Sequence, residues 1–126
     1  MSKVFRKIAA IFAALAAATL ASVGQADAGY RAVAGVFQIY GGELGDPVAA
    51  SKKDAKIAFS IKGQAAIEMF NAMGPDAKDS CTQGSGTRVR KKDNENLVCL
   101  RFAEGLYSCR FGFDLKSGRS IGGSLC

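Results

Sequence analysis

Four cysteines and not one histidine carry most of the chemical information in these 126 residues. Cys81, Cys99, Cys109 and Cys126 stand 18, 10 and 17 positions apart. A zinc site wants thiolates two residues apart or histidine partners, and this chain has neither. A dithiol redox centre wants Cys-x-x-Cys at the start of a helix, which is equally missing. No metal and no cofactor is therefore expected. An even set of cysteines in an exported chain points to two disulfides. If Ala103, Glu104 and Gly105 make a three-residue hairpin loop with Gly105 left-handed, Phe102 opposes Leu106 and Cys99 faces Cys109. Opposed side chains in a hairpin lie within disulfide reach. Cys81 would then join Cys126. A rival stays open: a Lys116-Ser117-Gly118 turn of suitable register brings Cys126 near Cys109 and leaves Cys81 to join Cys99. A two-residue turn at Glu104 and Gly105 favours that rival by placing Cys99 opposite Arg110.

The lack of histidine also removes the commonest general base at neutral pH and the usual partner of a serine or cysteine nucleophile. Carboxylates remain. Asp76 and Asp79 form one pair, Glu43 and Asp46 another, and two carboxylates can cleave a glycosidic bond. Acidic residues in loops with glycine and proline are more simply solvated turn formers. Lys62 or Lys78 could serve a serine nucleophile, but no Ser-x-x-Lys or nucleophile-elbow motif marks them. Gly84-Ser85-Gly86 lies between polar residues and opens a strand, so it is no phosphate loop.

The basic cluster Arg88, Arg90, Lys91 and Lys92 is the most functional-looking surface feature. In a strand, Arg88, Arg90 and Lys92 share one face, with Val89 and Lys91 on the other. Such a row suits an anionic partner. It has no interleaved aromatics, and Asp93 and Glu95 follow at once, so nucleic acid is not expected. The simpler reading, and the favoured one, is a charged strand that protects a sheet edge.

Behind these residues stand the elements that must position them. Lys3, Arg6 and Lys7 precede an apolar run from Ile8 to Val23, and Ala26-Asp27-Ala28 has small residues where a signal peptidase reads. Residues 1–28 are expected to be a secretory signal peptide cut between Ala28 and Gly29. The run is shorter than the roughly 20 residues of a spanning helix. No cysteine adjoins the cut, so neither a lipoprotein nor a stable membrane anchor is expected, and the protein should be periplasmic or secreted. Residues 29–126, with 14 basic and 10 acidic side chains, form one small domain of mildly basic charge.

Within it, the segment from Ala32 to Gly42 reads as a strand apolar on both faces, and residues 43–54 as a loop. Ile57, Phe59 and Ile61 alternate with Lys56, Ser60 and Lys62 in a second strand. Ala66, Met69, Phe70 and Met73 then fall at helical spacing, and Gly74 and Pro75 should end that helix, the glycine in the left-handed region. Four short strands follow around the turns at 92–95, 103–105 and 116–118. The order β-β-α-β-β-β-β gives an α+β fold: one antiparallel sheet with one amphipathic helix packed on one face. Tyr107, Cys109, Phe111, Phe113 and Leu115 share a strand face expected to receive Met69, Phe70 and Met73.

A short exported chain with paired cysteines and a helix on an antiparallel sheet resembles, in architecture, the small inhibitor and immunity proteins of the bacterial periplasm. The resemblance implies a non-catalytic protein-binding module of the envelope, not an enzyme. Its firm turns at 103–105 and 116–118 and the 41–54 loop are of a kind that enters a partner's cleft, and its positive charge suits a partner with an acidic rim. Two alternatives accompany it: a binder of anionic polymer or lipid headgroups through Arg88–Lys92, and a carboxylate-dependent hydrolase of wall glycans.

Overall fold

The computed structural model describes residues 28–126, so the expected leader, apart from its last residue, lies outside the described residues. The strands are β1 (Ala34–Glu43), β2 (Asp46–Val48), β3 (Lys56–Lys62), β4 (Arg88–Lys92), β5 (Leu97–Arg101), β6 (Tyr107–Asp114) and β7 (Ser120–Ile121). Between β3 and β4 come the helix α1 (Gly63–Met73) and a short 3-10 turn, Ser80–Thr82. All pairings are antiparallel, in the order β2-β1-β3-β6-β5-β4, with β7 also on β6. The α+β expectation holds.

One strand was not expected. Asp46–Val48, read as loop, folds back on Gly41–Glu43 through a tight turn. Pro47 masked it, because proline cannot donate within a sheet; at the outermost strand no donor is required of it.

The helix forms where the period changes from two to 3.6. Ala66, Phe70 and Met73 are buried as expected, against Cys99 and Cys109, with Ile61, Met69, Leu97 and Tyr107 packed around them. Gly74 ends the helix, but with φ of −35° it is not left-handed. The stop belongs to Pro75, which cannot extend a helix.

The hairpin register decides the first disulfide. Gly105, at φ 89°, donates to Phe102 O at 2.8 Å, and Phe102 N donates to Leu106 O at 2.8 Å. Counting back along the ladder, Cys99 and Cys109 fall opposite each other, with Cα atoms 4.0 Å apart, and are bonded. Cys81 pairs with Cys126. The rival pairing fails because β7 opposes Phe113 with Ser120 and Gly112 with Ile121, a register that carries the tail past Cys109. The tail then lies against β6 so closely that a Cβ on Gly123 would stand 2.3 Å from Phe111 O. Only glycine fits there.

The β4-β5-β6 half thus has two small cores. Helix α1 covers one face. On the other, Val89, Val98 and Leu100 are buried with Phe102 beside them. Cys81 and Cys126 join the 3-10 turn to the tail there, flanking a depression of about 180 Å³ shared with Val98 and Leu100. The two disulfides suit an oxidising, extracytoplasmic setting. No helix among the described residues is long and apolar enough to cross a membrane.

Candidate functional site

The basic strand lies at a sheet edge, and three of its four cations are engaged by the protein's own anions. Arg88 Nε and Nη2 donate to the two Asp76 oxygens at 2.8 and 3.1 Å. Arg90 Nε reaches the same carboxylate at 2.9 Å, while its Nη1 donates to Phe70 O at 2.6 Å. The Arg90 guanidinium also covers the Phe70 ring, 4.2 Å from its centre. Arg90 therefore caps the helix's last turn, shields its largest aromatic and holds the carboxylate that follows it. On the other face Lys91 pairs with Asp79 at 3.0 Å and with Glu95 at 3.2 Å. The Lys92 side chain makes no hydrogen bond or ion pair among the described residues. Ala77 N donates to Val89 O at 2.7 Å and closes part of this edge.

The carboxylates feel the same pairing from their side. Hydrogen bonds from Arg88 and then Arg90 lower Asp76 from the ordinary 3.8 to about 2. Lys91 and Thr82 likewise lower Asp79. Carboxyls held ionised this way are poor proton donors at neutral pH, whereas a glycosidase acid needs its pKa raised. Glu43 and Asp46 face each other across the β1-β2 turn, remote in sequence and element from Asp76 and Asp79.

The other half of the sheet has a different character. An 11-residue helix is about 16 Å long and 10 Å wide, while six strands span roughly 25 Å, so one helix leaves part of the face bare. It covers the rung of Ile61, Cys109 and Cys99. The next rung, Phe37, Phe59 and Phe111, lies directly opposed across three strands, and the one after holds Ile39, Ile57 and Phe113. Ring centres are 6.5 Å apart for Phe37 and Phe59, 5.1 Å for Phe59 and Phe111, and 6.1 Å for Phe111 and Phe113. The expectation that Phe111, Phe113 and Leu115 receive the helix is corrected: Tyr107 and Cys109 receive it, while Phe113 is 38% and Leu115 48% exposed.

Strand β1 exposes apolar residues on both faces, with Val36 and Phe37 each 66% and Ile39 51% accessible. β2 reaches only Gly41–Glu43, so among the described residues nothing pairs the outer edge of β1 from Ala34 to Tyr40. With Val33 this is an apolar patch on the order of several hundred Å², a size at which monomers carry interaction sites. Sequence reasoning noted that both strand faces were apolar but did not place the strand at an edge. The available signal was the lack of charge or proline between Ala32 and Gly42, the residues that normally guard an edge.

Beside β1, on the face away from the helix, Val36, Ser60, Lys62, Leu106 and Arg110, with one carboxylate, Glu104, border a depression of about 390 Å³. Its floor includes buried Ser108, whose Oγ lies 3.4 Å from Ser60 Oγ. Neither Lys62 nor Arg110 makes an ion pair among the described residues. The three expected turns do not converge. The 116–118 turn adjoins the 49–55 segment, where Leu115 N donates to Ala55 O at 2.8 Å. The 103–105 turn lies at the opposite end of β6.

No protein-family model, no curated protein and no solved structure matches this chain.

Proposed function

We propose that this chain is an exported, non-catalytic protein-binding module of the bacterial envelope, of inhibitor or immunity type, working in the periplasm or outside the cell after loss of its first 28 residues. The observation that carries the reading is the uncovered half of the sheet. A rigid, cross-linked domain keeps the aromatic rungs around Phe37 and the apolar edge of β1 in water, and that exposure is costly unless a partner covers it. Arg88, Arg90 and Lys91, the residues an anionic polymer would need, already hold Asp76, Asp79 and Glu95.

Affinity capture from an envelope extract, with the oxidised protein as bait and mass spectrometric readout, tests this. A stoichiometric protein partner is expected. Phospholipid or polysaccharide alone, or clearing of purified peptidoglycan in a gel assay, overturns it.

A further inference from the structure

We propose that the free edge of β1, residues 34–40, accepts an extended strand from an acidic partner protein, in which apolar and carboxylate side chains alternate. This rests on the protein-binding reading above and specifies where and how the partner docks. Alternate residues of an edge strand point N–H and C=O outward, and an added strand satisfies them by main-chain hydrogen bonds whatever its sequence. Side chains supply the selectivity. On the helix face the neighbours of an added strand are Phe37 and Ile39, backed by Phe59 and Phe111, so its residues there must be apolar. On the opposite face β1 presents Ala34, Val36 and Gln38, with Tyr40 buried; two cations stand behind it, Lys56, paired with Tyr40 and already held by Asp54, and Lys62, paired with Ala34 and without an ion-pair partner among the described residues. Two strand spacings, about 10 Å, separate Lys62 from the added strand. A lysine and a glutamate together span that distance over the small Ala34. Arg110, on the same face two strands from β1, adds positive potential.

A second copy of this chain fits the edge less well. Its own β1 carries no carboxylate at any position of that face, and pairing would bring two net positive domains together with Lys62 unmet.

The test uses the oxidised protein, produced from its full-length coding sequence, and two ten-residue probes: alternating valine and glutamate, and alternating valine and lysine. Amide hydrogen exchange is followed residue by residue. The glutamate probe at millimolar concentration should slow alternate amides within 34–40 at least tenfold; the lysine probe should not. Lys62→Glu should reverse that preference, and Val36→Glu, which sets a carboxylate against those of the probe, should abolish protection by the glutamate probe. Both substituted side chains are exposed, so the fold survives either change. Equal protection by both probes, none by either, or protection that appears without a probe and grows with protein concentration overturns the proposal. The last result assigns the edge to a second copy. The protein-binding reading stands or falls separately, on whether the extract yields a stoichiometric partner.

Discussion

At the β4 edge of the sheet, charge and covalent bonding close the structure; at the β1 edge, neither is present. β4 carries four cations in five residues, three of them tied to carboxylates from the segments that flank it, and Ala77 bonds to its backbone at Val89. Beside it, Cys99–Cys109 and Cys81–Cys126 cross-link strand to strand and turn to tail. β1 has seven uncharged residues along an open edge, and the aromatic rungs beside it are half bare. The basic cluster, favoured in the sequence as a charged strand at a sheet edge over an anion-binding surface, lies at an edge and braces it through the protein's own carboxylates. The strand read as apolar on both faces lies at the other edge, with Val36, Phe37 and Ile39 in water. Charged side chains close together in space satisfy one another first; a surface that is apolar and unpaired has no internal remedy.

The sharpest way to break this comparison is to truncate one phenylalanine in each half. Phe70→Ala, at a site 1% exposed, should cost about 3–5 kcal/mol in urea unfolding, while Phe37→Ala, at 66%, should cost under about 1. Similar costs would mean that the bare half is as much a core as the covered one. Replacing Cys99 and Cys109 together by serine should lose about 3 kcal/mol by the chain-entropy account, measured against the parent protein under non-reducing conditions. Arg90→Ala should cost about 1–2 kcal/mol through the lost bond to Phe70 O and the uncovered ring. A cost no greater than that of Lys92→Ala would show that the brace is decorative.

The same brace should respond to acid. Asp76 has its pKa lowered in the folded state, so its stabilisation is complete above the ordinary aspartate value of 3.8 and is lost as pH falls through about 2. A carboxyl carbon titration by NMR reads this directly, and Arg88→Ala should move the Asp76 midpoint back up. The smallest effect belongs to the other edge: Val36→Lys should leave stability within about 0.5 kcal/mol, since it changes a side chain already in water.

Much of the fold was legible because it is written in local periods. The alternation of Ile57, Phe59 and Ile61, the helical stripe of Ala66, Phe70 and Met73, and the hairpin loop ending in Gly105 each depend on neighbours a few positions away. Those yielded the α+β order and, through the hairpin register, the Cys99–Cys109 bond. Asp46–Val48 was missed because its pairing is licensed by being outermost, a fact about strand order. The partners of Arg88, Arg90 and Lys91 were missed because Asp76 and Asp79 reach them only after the chain turns back from the helix.

By itself the sequence determined what each segment can be: an exported-looking chain without histidine chemistry, a single helix, short strands, and cysteines destined for each other. Only the tertiary structure decided which strands became edges and which faces stayed bare. Local propensity acts over a few residues, whereas burial depends on where a single 16 Å helix comes to rest on a wider sheet, and that placement follows from all the long-range pairings at once.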